Sequence, residues 1–246
     1  MATWVSHLII ADKILARTKG ICPREFCVGN IAPDCNIENE DFTSFTPSRE
    51  VTHWMQAEYK QLSDAEKFLD EYVKTKENIS REETSFLLGY YTHLVTDAEF
   101  RSFTHNEQRL AASWERIISE KALYPEYLIV PQNWDGIKLL ISKRERMKDI
   151  YNIEKKYLDK NPESGYFKYI RAFKDIPDYI DYLPQGAIAR KIKIMGYMPR
   201  AEKGKFLGIV ITEEEYDAFL KNAAAKASER ITEYLNNFCH HFPIPT

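Results

Sequence analysis

The stretch ISREETSFLLGYYTHLVTDAEFRSF, residues 79–103, decides the fold. Ser80 with Glu83 three residues on is the pattern in which two side chains cap each other's backbone N–H groups at a helix start. The apolar spacing that follows predicts a helix to about Phe103. At about 100° per residue, Asp97 lies roughly 40° from His93, on the side that carries Phe86, Tyr90 and Phe100. The adjoining side holds Leu87, Tyr91, Leu94, Val95 and Ala98, and only a narrow strip with Ser85, Thr92, Thr96 and Glu99 is polar. A helix that is apolar around most of its circumference is covered by others, so Asp97 is expected to be buried. An ionised carboxylate out of water is costly unless it is paired or bound to a cation, and side chains at i and i+4 can share one ion. Gly89, one turn before His93, removes a side chain and lets another element approach. The competing reading is a buried His–Asp pair that only fixes helix packing.

Working outward, residues 5–18 read as a first helix ended by Gly20 and Pro23, with His7 on the stripe of Trp4, Ala11 and Ile14. FCVGNIAPDCNIENEDFTSFTPSRE, residues 26–50, reads as a long irregular connection that carries Asp34. Thr46 before Pro47 predicts a helix that carries His53 and Trp54, and another helix is expected from about Ser63. Further helices are expected at about 106–121, 134–159, 164–175 and 213–238. Only KFLGIVI, 205–211, has strand composition, and prolines and glycines interrupt 176–204. The fold class is therefore all-α, a single-domain multi-helix bundle over 1–246, with a metal-binding half at about 1–105.

The 246 residues carry a net charge of −3 with acids and bases interspersed, which implies no broad surface for nucleic acid. The four cysteines form no C-x-x-C pair, as suits reduced thiols, and the first twenty residues lack a basic leader and a cleavage site. No apolar run reaches the length of a membrane span. A soluble, cytoplasmic protein is the expectation, with its oligomeric state open. Phosphate loops, nucleophile elbows and dinucleotide fingerprints are absent from the sequence.

Three of the six histidines, His7, His53 and His93, fall in the first hundred residues together with Asp34 and Asp97. Imidazole and carboxylate donors without thiolate favour zinc, and manganese or iron accept the same set. Cys35 beside Asp34 is an alternative soft ligand, as are Cys22 and Cys27, although small buried hydrophobes are the commoner role for such residues.

The ordered set WVSH at 4–7, GNIAPD at 29–34, THW at 52–54 and GYYTHLVTD at 89–97 resembles the zinc-dependent phospholipase C family, whose wider superfamily includes the S1/P1-type nucleases. The resemblance covers about the first 105 residues. It implies a mainly helical fold in which Asp34, His53, His93 and Asp97 hold one zinc, and His7 joins Asp97 at a second. Asp97 is then the bridging ligand, with Asp34 and Asp97 the catalytic carboxylates and a phosphoester or phospholipid the substrate. Two departures stand out. Trp4 is internal, whereas secreted members complete the second site with an N-terminal amine. His105, His240 and His241 lack the spacing that holds a third ion. A non-catalytic protein braced by one ion and a metal-dependent nucleotide phosphohydrolase are the alternative functions.

Overall fold

The computed structural model describes residues 2–41, 43–56, 62–196 and 208–238. Ten α-helices are found among them: α1 (Trp4–Leu15), α2 (Pro23–Gly29), α3 (Arg49–Thr52), α4 (Ala65–Phe68), α5 (Arg81–His105), α6 (Glu107–Ser119), α7 (Trp134–Leu140), α8 (Lys143–Lys160), α9 (Ala187–Met195) and α10 (Glu213–Phe238). Wider π turns follow α4 at Leu69–Val73 and precede α9 at Tyr166–Arg171. Strands Ile37–Glu38 and Phe45–Thr46 form one small antiparallel ribbon, with Ile37 opposite Thr46. The fold is all-α, as the apolar spacing predicts.

Helix α5 is the central element. The Ser80 hydroxyl accepts the Glu83 N–H at 3.0 Å, and Thr84 to Asp97 are buried without a break. Against it lie α2, α10 and α1, with α4 and α6 at its flanks. The contact with α2 is backbone on backbone: a Cβ on Gly89 would collide with the carbonyl of Phe26, and one on Gly29 with the carbonyl of Phe86. The close approach expected at Gly89 is therefore made, and α2 is the element that makes it. Helix α10 runs over the stretch expected for it, burying Tyr216, Phe219, Ala223, Ala227 and Ile231.

Several boundaries differ from expectation. Residues 26–50 are not wholly irregular, because α2 occupies their start, with Pro23 at its first turn rather than ending α1. Seven residues are too few to show a helical period. The helix expected to carry His53 ends before it: α3 is four residues long, Ser48 precedes it in place of Thr46, and Trp54 takes a positive φ of 49°. The span 134–159 divides at Ile141–Ser142, where Ser142 and Glu145 cap each other's N–H groups and start α8 afresh. Of 205–211, residues 205–207 lie outside the described set and 208–211 are irregular. Ile209, Val210 and Ile211 are nevertheless buried, and the Arg109 guanidinium donates to the Val210 carbonyl at 2.9 Å. No described helix is long and apolar enough to cross a membrane.

Candidate metal centre

The five residues singled out by sequence meet where α1, α2, α3 and α5 converge. His7, at the end of the first turn of α1, stacks on His93 of α5 with ring centroids 3.8 Å apart and planes 2° from parallel. His53, just past α3, turns its Nε2 to within 3.3 Å of His93 Nε2 and 3.3 Å of Asp34 Oδ1. Asp97 places Oδ1 3.6 Å from His7 Nε2, and Oδ2 3.7 Å from His53 Nε2 and 3.9 Å from His93 Nε2. Two sets result, His7–His93–Asp97 and Asp34–His53–His93, each with its donor atoms within 4.8 Å of one another. His93 belongs to both. The three imidazoles and Asp97 are buried, and Asp34 is half-buried at the rim.

The surroundings orient these donors. His93 Nδ1 lies 2.9 Å from the carbonyl of Asn30, which can only accept, so Nδ1 carries the proton and the Nε2 lone pair faces the cluster. The Asn30 amide also donates to the His7 carbonyl at 2.7 Å, joining α2 to α1. His53 Nδ1 is held by Thr52 Oγ1 at 2.9 Å. Asp34 Oδ2 accepts the Trp4 indole N–H at 2.9 Å, and Asp97 Oδ1 accepts the backbone N–H of Ala2 at 3.0 Å. Arg49 reaches both acids, its guanidinium 3.1 Å from Asp97 Oδ2 and 3.9 Å from Asp34 Oδ1.

Burial, together with the His7 ring beside it, pushes His93 down to about 3, so that ring is neutral and free to act as a donor. For Asp97 burial opposes the charge, but His7 and His93 outweigh it and hold the carboxyl well below its ordinary range. At Asp34 burial is likewise overcome, here by His53 and His93, and the carboxyl is again lowered.

Both ring nitrogens of His7 are buried without a hydrogen-bond partner. An imidazole left so loses hydrogen bonds that water would supply, and a cation at its ring edge restores one of them. Nitrogen and carboxylate donors at this spacing fit zinc. Other possible ligands stand apart. His105 is exposed, with Nδ1 2.9 Å from the Arg101 carbonyl, and the Cys35 thiol donates to the Ile31 carbonyl at 3.3 Å. Neither they nor Cys22 and Cys27 join the two donor sets, and His240 and His241 lie outside the described residues.

Two cavities flank the cluster. One of about 430 Å³ is mainly apolar, walled by Trp4, Leu8, Tyr166, Ile170 and Met195, with Asp34 at its rim. The other, of about 470 Å³, includes Asp97, Arg49 and Trp134. Lys143 and Met147 of α8 line both.

Fold and donors together define a helical protein with a buried His/Asp site suited to a divalent transition metal. Residues 6–125, just under half of the chain, match the family described as zinc dependent phospholipase C. No curated protein and no solved structure matches the chain. The matched segment contains all five cluster residues, whereas α7 to α10, which build much of the two cavities, lie beyond it.

Proposed function

We propose that the protein is a zinc-dependent phosphoesterase of the phospholipase C type, with one or two ions held by His7, Asp34, His53, His93 and Asp97. The observation that carries this reading is the convergence of three buried imidazoles and two ionised carboxylates from four separate segments. Such a group is costly to assemble in a core without a cation. Bound zinc would supply Lewis acidity toward a phosphoryl oxygen and lower the pKa of a coordinated water.

The chain's own residues supply the rest. Asn30 and Thr52 fix the two rings that face each other, Trp4 holds Asp34 Oδ2 and leaves Oδ1 toward His53, and Ala2 holds Asp97 Oδ1 beside His7. Asp34 and Asp97 open onto different cavities, so an ester at the cluster would have its two alcohol portions directed apart. The apolar cavity suits the hydrocarbon part of a phospholipid.

A second reading draws on Arg49. Its guanidinium already faces both acids, as it would in a protein whose cluster serves only to brace the helices. Metal content and turnover separate the two readings. Dialysed protein is expected to bind zinc at one or two per chain and to hydrolyse bis(p-nitrophenyl) phosphate, with activity removed by chelation and restored by zinc. Zinc without turnover favours the brace, and neither zinc nor turnover overturns the phosphoesterase.

A further inference from the structure

The two cavities beside the cluster differ in charge, and the difference bears on the substrate. Arg49, Arg101, Lys138, Lys143 and Arg146 line the cavity on the Asp97 side, against the acids Glu50 and Asp97. Part of this charge is compensated: Arg49 faces Asp97 at 3.1 Å and Lys138 faces Asp135 at 2.5 Å. Lys143 and Arg146 are in no ion pair among the described residues, and the Arg146 guanidinium donates instead to the neutral carbonyl of Ile141. It also lies 5.9 Å from the centre of the Trp134 ring, so it is held in place at the cavity wall.

A simple phosphodiester carries one negative charge, which metal ions at the cluster would neutralise. Two further cations that have no acidic partner among the described residues, in the cavity that the cluster opens onto, call for a second anionic group on the same ligand. A phosphate monoester carries nearly two charges at neutral pH and matches the fork of an arginine. Lys143 and Met147 border both cavities, so a ligand that reaches Lys143 from the Asp97 side lies beside the apolar cavity as well. Lys138, Lys143 and Arg146 lie outside the segment shared with the family, so this wall is particular to the C-terminal part of the chain.

We infer that the substrate is a phosphodiester whose polar alcohol bears a further phosphate, seated between Lys143 and Arg146. The inference rests on the phosphoesterase reading for the position of the ester, and on the basic wall alone for the second phosphate.

Binding to the full-length, zinc-loaded protein tests it, with glycerophosphoinositol bisphosphate and glycerophosphocholine as the two ligands. The phosphorylated ligand is expected to bind at least about tenfold more tightly at low salt, an advantage that shrinks as ionic strength rises. Lys143→Glu should abolish that preference and Lys143→Arg keep it. Position 143 is exposed at the first turn of α8, where an acid suits the helix dipole, so the variant is expected to fold. A short-chain phosphatidylinositol bisphosphate in parallel distinguishes a lipid from a soluble sugar phosphate: tighter binding than its deacylated form identifies the lipid, and equal binding the sugar phosphate. Equal affinity for the two headgroups overturns the inference even if bis(p-nitrophenyl) phosphate is hydrolysed. Selective binding without any zinc-dependent turnover sustains the second phosphate and overturns the phosphoesterase.

Discussion

Ser6 and His7 are neighbours on α1, yet they lead to two buried acids of opposite character. His7 faces Asp97, which is ringed by imidazoles and Arg49 and stays ionised. Ser6 faces Glu154 of α8, whose Oε1 accepts from the hydroxyls of Thr3, Ser6 and Tyr216 while Oε2 has no partner. With hydroxyls in place of imidazoles and a guanidinium, burial pushes Glu154 up to about 7. Depth is similar in the two regions. What differs is whether imidazoles and a guanidinium or hydroxyls alone surround the carboxylate, and this decides which acid keeps its charge.

The sharpest way to break the comparison is Asp97→Ala. It removes the acid shared by His7, His53, His93 and Arg49, and is expected to cost roughly 3 to 5 kcal/mol in stability, the usual range for breaking a buried pair. Bound zinc should fall at the same time. Unaltered zinc content and melting temperature in that variant would remove Asp97 from the centre of the argument.

A somewhat smaller effect is expected at Glu154. The folded chain holds its proton up to about pH 7, whereas the unfolded chain releases it near the ordinary value of 4.5. The unfolded state thus binds fewer protons between these limits, so stability declines as pH rises through that window, by about 3 kcal/mol in all, and then levels off. Denaturant melts of Glu154→Gln across pH 4.5 to 7 should lack this slope while zinc content is retained. A slope that persists in the variant would assign the titration to another group.

Ser6→Ala removes one hydroxyl donor from Glu154 and leaves the His7 ring in place. A loss of about 1 to 2 kcal/mol with unchanged zinc binding is expected. A change in zinc affinity instead would show that the two regions are coupled through α1.

How much of this could be read from the chain varies by residue. The start of α5 was legible because Ser80 and Glu83 are a local signal, and the inward side of His93 and Asp97 followed from helical period alone. His7, Asp34 and His53 stand out as ligand types in short segments whose order resembles the family. Arg49 was missed because its role depends on α3 lying beside Asp97, and Asn30 because it acts on His93 through a backbone carbonyl, which no side-chain pattern reports. Glu154 lies among Lys155, Lys156 and other polar residues and reads as solvent-facing; only Thr3, Ser6 and Tyr216, distant in sequence, make it internal. The basic wall was hidden for the same reason, since Lys143 and Arg146 acquire meaning only when α8 begins beside the cluster.

The backbone contact that Gly29 and Gly89 permit between α2 and α5 has a consequence for tolerance to change. Where two helices touch through side chains, a substitution can be absorbed by a different rotamer; where main chain meets main chain, nothing between them is able to yield. The residue that ends α2 is Asn30, directly after Gly29, so the spacing between its carbonyl and the imidazole of His93 is inherited from the polypeptide itself. The outer surfaces of these helices can therefore diversify freely while this one alignment stays in register.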